Sequence, residues 1–196
     1  MKRKWILIVC IAFVLCLTLS GCSEEEEKIL SGKYHVNMEI KGYGTVKLEL
    51  DADAAPLTVT NFVNLVKKKF YDGLTFYRIA DGFVIEGGDP LKDGRGGSKE
   101  TIKGEFSANG VQNPISHERG TISMVRRDAD YNCASSPFFI VLEDAPQLDG
   151  NYAAFGYVTD GMDIIDKICD ETSVEDDNGM VSPDNQPVIK KIKVVK

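Results

Sequence analysis

Apolar and polar residues alternate with a period of two along much of this chain. Tyr34, Val36, Met38 and Ile40 fall on one face of an extended run. Gly42-Tyr43-Gly44 turns the chain, and Val46, Leu48 and Leu50 resume the alternation, which predicts a hairpin with one face inward. The period then changes. Pro56 suits the first turn of a helix, and Val59, Phe62, Val63 and Val66 follow at helical spacing. Lys67-Lys68-Lys69 reads as the solvated end of that helix, where cations complement the dipole. Alternation returns over 76–89, F-Y-R-I-A-D-G-F-V-I-E-G-G-D, with Asp81-Gly82 as the turn between two short strands. Further strands are predicted over 121–125, 137–141, 153–158 and 188–195, and a second helix over 163–170 from Ile164, Ile165 and Ile168. The stretches 126–136 and 175–185 are polar and read as surface loops.

Within 76–89, Phe76, Arg78 and Ala80 are expected to share one face of the first strand, which stands a cation in an apolar row. A guanidinium placed there requires a partner or a ligand, because burying an unpaired charge is costly. Gly87 and Gly88 end the second strand, where the backbone must bend or another group must approach closely.

With 196 residues, 43% of them hydrophobic, the chain can build one domain with a sizeable core. Its net charge of −7 argues against binding a nucleic-acid backbone, which relies on clustered Lys and Arg. No metal or cofactor is expected. His35 and His117 have no ligand-like spacing with each other or with the cysteines. D-G-R-G-G-S at 93–98 lacks the Lys-Ser/Thr of a phosphate loop, and no G-x-S-x-G marks a hydrolase.

The N-terminus reads as a targeting segment. Met1-Lys2-Arg3-Lys4 is basic, and the apolar run from Trp5 to Leu19 is short for a membrane span. Leu19-Ser20-Gly21-Cys22 resembles the bacterial lipobox, which implies a signal peptide over 1–21 and diacylation of Cys22. Residues 22–33, with four consecutive glutamates, read as an acidic tether ahead of a folded domain at 34–196. The expected location is the outer face of the cell membrane, held by lipid; two acyl chains give stable anchoring where one would not. Only Cys133 and Cys169 then remain in the mature domain, as two structural thiols or, in an oxidising compartment, a pair.

The 76–89 block resembles the signature of the cyclophilins, the cyclosporin-type peptidyl-prolyl cis-trans isomerases, whose pattern is F-x-R-x-x-x-G-F-x-x-Q-G-G-D; Glu86 stands in place of the glutamine. Gly120 to Met124 (G-T-I-S-M), Phe138-Phe139-Ile140, Leu148-Asp149-Gly150 and Phe155-Gly156 match further blocks in the same order. The resemblance implies a mainly β fold, an eight-stranded antiparallel β-barrel capped by two α-helices. It implies a monomeric isomerase acting on proline-containing polypeptides, with Arg78 as the catalytic donor. It further implies a substrate site formed by Phe83, Glu86, Met124, Val125, Arg126, Phe139, Gln147, Leu148 and Tyr152. Tyr152 stands where many relatives have histidine, Pro137 replaces a second glutamine, and Gln147 replaces the tryptophan associated with strong cyclosporin binding. With a lipid anchor, the clients would be newly exported proteins. The alternative class is a binding module that keeps the proline-peptide groove while Glu86 and Pro137 erode catalysis.

The lipobox carries its own test. Cys22→Ala is expected to leave unprocessed precursor or released protein, read as a shift in gel mobility and loss of partitioning into detergent; unchanged behaviour on both counts rejects the anchor.

Overall fold

The computed structural model describes residues 28–127 and 129–195; the leader, Cys22 and the run of glutamates lie outside them. Eight strands, β1 (Lys33–Ile40), β2 (Gly44–Asp51), β3 (Phe76–Ala80), β4 (Val84–Gly87), β5 (Thr121–Met124), β6 (Phe138–Val141), β7 (Ala154–Asp160) and β8 (Ile189–Val195), form one sheet in the order β3-β4-β6-β5-β7-β2-β1-β8. Each pairing is antiparallel. The two end strands meet just ahead of their first residues. Thr75 bridges Val188, Phe76 N donates to Pro187 O (2.9 Å) and Ile189 N donates to Leu74 O (2.8 Å), which closes the sheet into a barrel.

The register of β1 on β2 follows from the alternation. Val36 lies opposite Leu48 and Met38 opposite Val46, and all four are buried, so one face of the pair is interior. Rings fill the middle of that interior. Phe62 lies 4.9 Å from Tyr71, 5.2 Å from Phe155 and 5.8 Å from Phe138, and Phe76 lies 6.1 Å from Phe138, all within the range of favourable aromatic pairs. The close approach expected at Gly87 and Gly88 is explained here. A Cβ on Gly87 would sit 2.8 Å from the Phe76 ring, and one on Gly88 (φ +86°) would sit 2.8 Å from Ser136 O.

Two helices complete the fold: α1 (Pro56–Lys67) lies against β8 and β2, and α2 (Met162–Glu171) lies against β2. The apolar stripe of α1 is its buried face, with Val59, Phe62, Val63 and Val66 all in the core. Its first turn has no side-chain cap of its own. Instead the buried carboxylate of Glu105 accepts Leu57 N (3.0 Å), Thr58 N (2.8 Å) and Thr58 Oγ1 (2.7 Å), satisfying donors the helix start leaves open.

The structure differs from the sequence reading in three places. A register shift between Phe76 and Arg78 separates residues expected on one face: Phe76 and Ile79 enter the aromatic core, while Ala80 joins a smaller apolar group with Val84 and Phe139. The expected tether 22–33 gives up its last residues to the fold. Leu30 packs on the core with its N–H on Thr60 Oγ1 (2.9 Å), Gly32 N donates to Asp53 Oδ1 (2.8 Å), and Lys33 opens β1. β6 starts at Phe138, because Pro137 has no N–H to give the ladder, although its carbonyl still accepts Val125 N (3.0 Å). Cys133 and Cys169 are free thiols.

The buried Glu105 cap is open to a direct test. Glu105→Ala leaves the buried Thr58 N–H, the part-buried Leu57 N–H and the helix dipole unanswered, so it is expected to cost about 2 kcal/mol or more. Urea unfolding should show a lower midpoint with an unchanged m-value; an unchanged midpoint would mean that water caps the helix as well.

Candidate functional site

The β3–β4 hairpin builds one side of the site. Gly82 (φ +64°) makes the turn, with Phe83 N donating to Ala80 O (3.0 Å). Arg78 lies opposite Glu86 across the two strands, and the register shift aims both away from the aromatic core. Arg78 Nη1 donates to Glu86 Oε1, and Arg78 Nε donates to the carbonyl of Asn178 (2.7 Å). Tyr77 donates its hydroxyl to the other carboxylate oxygen of Glu86 (2.8 Å), and burial, reinforced by that carboxylate, holds the phenol protonated. Arg78 Nη2 has no hydrogen-bond partner among the described residues.

Arg78 and Glu86 open onto a cavity of about 140 Å3 lined also by Phe83, Val84, Val125, Arg126, Phe139, Leu148 and Tyr152. Phe139 on β6 is its back wall. On the far side of Phe139 the imidazole of His117 stacks at 5.9 Å and 19°. That imidazole lies against Asp149 Oδ1 through Nδ1 (2.9 Å) and against Ser123 Oγ through Nε2 (3.1 Å). Burial lowers the His117 pKa more than the Asp149 carboxylate raises it, so the ring is neutral at physiological pH. Tyr152 meets Phe139 edge-on at 5.7 Å, and the Arg126 guanidinium lies 4.7 Å from the Tyr152 ring, 4.8 Å from Tyr131 and 5.4 Å from Phe106. Arg126 Nε also donates to Asn151 O (2.8 Å), so this cation braces the wall instead of reaching across the cavity.

The fold therefore gathers Arg78, Phe83, Glu86, Val125, Arg126, Phe139, Leu148 and Tyr152 around one hollow. Two residues expected with them do not line it. Met124 is 1% exposed in the aromatic core, because β5 turns it inward opposite Phe138. Gln147 is exposed on the 3-10 turn Pro146–Leu148, beside the cavity and outside its walls. Val84, His117, Tyr77 and Asn178 were missed. Val84, the first residue of β4, directly follows Phe83 and was within reach of the alternation; the other three carry no sequence signal, since their partners are brought up only by the folded chain.

This hollow joins an apolar wall to one guanidinium with a free N–H pair. It can hold a small aliphatic ring and offer a charged donor beside it. Among the described residues, no group of three or more His, Cys, Asp or Glu is placed to hold a metal.

Comparison with known proteins agrees with this geometry. Residues 35–194 match the family model described as cyclophilin type peptidyl-prolyl cis-trans isomerase/CLD. The chain is 42% identical over 127 residues to a peptidyl-prolyl cis-trans isomerase of Helicobacter pylori, covering 64% of this chain and 74% of the relative. It is 45% identical over 118 residues to peptidyl-prolyl cis-trans isomerase B of Bacillus subtilis, covering 60% of this chain and 78% of the relative. The crystal structure of a cyclophilin type peptidyl-prolyl cis-trans isomerase of Cryptosporidium parvum superposes with a TM-score of 0.74 at 26% identity, over 84% of this chain and 99% of that one. A second structure of that protein, in the presence of the dipeptide Ala-Pro, gives 0.72.

The buried imidazole behind Phe139 predicts a pH dependence of stability. His117 has a folded pKa below its ordinary value of 6.5, so below that pH the unfolded chain binds a proton that the folded chain refuses. Stability is thus full above about pH 6.5 and falls as the pH drops through the folded pKa. Urea midpoints measured from pH 7.5 down to pH 5 should decline in the natural protein, and His117→Gln should flatten that decline; an equal decline in the variant assigns it to other groups.

Proposed function

The chain belongs to the cyclophilin-type peptidyl-prolyl cis-trans isomerases, and we propose that it rotates X-Pro bonds in newly exported proteins through Arg78, working from a lipid anchor at Cys22. The observation that carries the mechanism is the guanidinium facing a hollow walled by Phe83, Val84, Phe139 and Leu148. A solved relative studied in the presence of Ala-Pro supports a proline ring as the occupant.

An uncatalysed X-Pro bond rotates over a barrier of about 18–20 kcal/mol, which takes tens of seconds or longer. Bringing that to milliseconds needs about 5.5 kcal/mol of transition-state stabilisation. Twisting the amide breaks its resonance and leaves the prolyl nitrogen pyramidal, with a basic lone pair. A cation donating to that nitrogen binds the twisted state more tightly than either planar state. Arg78 Nη2 is the group free to do so, since Asn178 and Glu86 fix Nε and Nη1. A desolvated charged hydrogen bond supplies about 1.5–3 kcal/mol; the remainder falls to the apolar wall and to restraint of the carbonyl.

Glu86 is the specific observation behind the second reading, a proline-peptide-binding module with little turnover. An ionised carboxylate on Nη1 draws positive charge away from the donor and cannot itself donate, as the glutamine of the family pattern can. Arg78→Ala is expected to lower kcat/KM for a proline tetrapeptide about 10-fold or more, equivalent to about 1.4 kcal/mol, while peptide affinity falls much less. Glu86→Gln should raise kcat/KM. A fall in the Glu86→Gln variant with its fold intact would make Glu86 a productive orienter of Arg78. Peptide binding without turnover above background, unaffected by Arg78→Ala, would establish the binding module.

A further inference from the structure

A second cavity, of about 260 Å3, adjoins the first and shares Val125 and Arg126 with it. Its walls are polar, from Ser98, Thr101 and Ser135, with the backbone of the glycine-rich segment as one side. Three further cations, Arg95, Lys99 and Arg127, line it, and among the described residues no carboxylate does.

Several cations elsewhere in the molecule are paired. Lys33 pairs with Asp51, Lys47 with Asp160, Arg119 with Asp166, and Lys190 and Lys191 with Glu39. The side chains of Arg95, Lys99 and Arg127 have no ion pair or hydrogen bond with any described residue. Acidic neighbours in sequence are present: Asp93 accepts the backbone N–H of Arg95 (2.9 Å), Asp130 that of Asn132 (2.8 Å), and neither pairs with a cation of the basin. In a chain of net charge −7, three cations without a partner among the described residues line one hollow.

The hollow is also held in shape before any ligand arrives. Buried Asp89 accepts Leu91 N (2.8 Å), Asp93 N (3.2 Å) and Gly94 N (2.7 Å), which pins the loop that carries Arg95. A Cβ on Gly97 would lie 2.2 Å from Ser135 Oγ, so the loop sits tight against the opposite wall. Arg127 N donates to Cys133 Sγ (3.1 Å). Charges on a fixed frame bind with less entropic loss than charges on a mobile one.

We propose that this basin is an anion-selective subsite, and that Arg95, Lys99 and Arg127 make the enzyme prefer substrates with an aspartate or glutamate near the proline. The inference rests on the proline occupying the first cavity. An extended chain advances about 3.3 Å per residue, so a side chain about one to three positions from that proline reaches a basin bounded by the same two residues.

The test walks Glu, Gln and Lys through the three positions on either side of the proline in otherwise alanine peptides and measures kcat/KM at low and high ionic strength. At one position the Glu peptide is expected to exceed the Gln peptide about 5-fold, the equivalent of several exposed ion pairs, and salt should shrink the ratio. The ratio is internal to each variant, so a partial loss of fold does not disturb it. It should approach one in Arg95→Ala/Lys99→Ala/Arg127→Ala, and in Lys99→Glu/Arg127→Glu the Lys peptide should become the best substrate. Equal turnover of Glu and Gln peptides at every position, with the alanine peptide still turned over, overturns the subsite alone. Failure to turn over or bind the alanine peptide removes the proposed function, and this inference with it.

Discussion

A guanidinium whose side chain is only 25% exposed must be met by acceptors, and much of the local architecture serves that requirement. The register shift in the β3–β4 hairpin takes Arg78 out of the aromatic core, and the cross-strand partner it then meets is Glu86. A second acceptor comes from the loop that follows α2. That loop reaches β3 only because Gly179, at φ +84°, has no Cβ; one built there would lie 2.1 Å from Ile79 O. Ile79 N donates to Gly179 O (2.7 Å) and Val181 N donates to Tyr77 O (3.0 Å), so the loop covers the outer edge of β3 as it delivers the Asn178 carbonyl. Charge satisfaction and protection of a sheet edge are achieved by the same segment.

Opposite this polar corner stands a wall that is apolar at its face and polar behind. Phe139 presents one side of its ring to the cavity and the other to His117, a neutral imidazole fixed by Asp149 and Ser123. A stacked, hydrogen-bonded ring backs Phe139 and limits its movement. Arg126 does the same for Tyr152 from the side, spread over three rings. The wall is therefore braced at Phe139 and at Tyr152, and in the proposed mechanism that rigidity favours the twisted amide over the planar ones.

The substitution of glutamate for the family's glutamine changes the electrostatics of the corner and leaves its shape intact. Glu86 accepts from Arg78 and from Tyr77, so both carboxylate oxygens are used and the anion is held by two neighbours on its own sheet. In the proposed mechanism this fixes the guanidinium in one orientation while reducing the charge it offers to the prolyl nitrogen. Orientation and donor strength thus pull in opposite directions at a single side chain.

Local pattern along the chain was enough to define the elements. Alternation and helical spacing are local properties of the chain, and they located the β1–β2 hairpin, both helices and the strands around 121–158 to within a residue or two. The ordered motif blocks led to the barrel and to a set of residues that the fold brings mostly together. Which way individual side chains face, and who meets whom, emerges only from the folded chain. No local pattern shows the register shift that parts Phe76 from Arg78, the inward turn of Met124 or the outward place of Gln147. The Glu105 cap on Thr58 joins residues 47 apart, His117 and Asp149 are 32 apart, and Arg78 and Asn178 are 100 apart. Periodicity reports only the nearest few residues, whereas the partner of a buried charge is settled by the path of the whole chain.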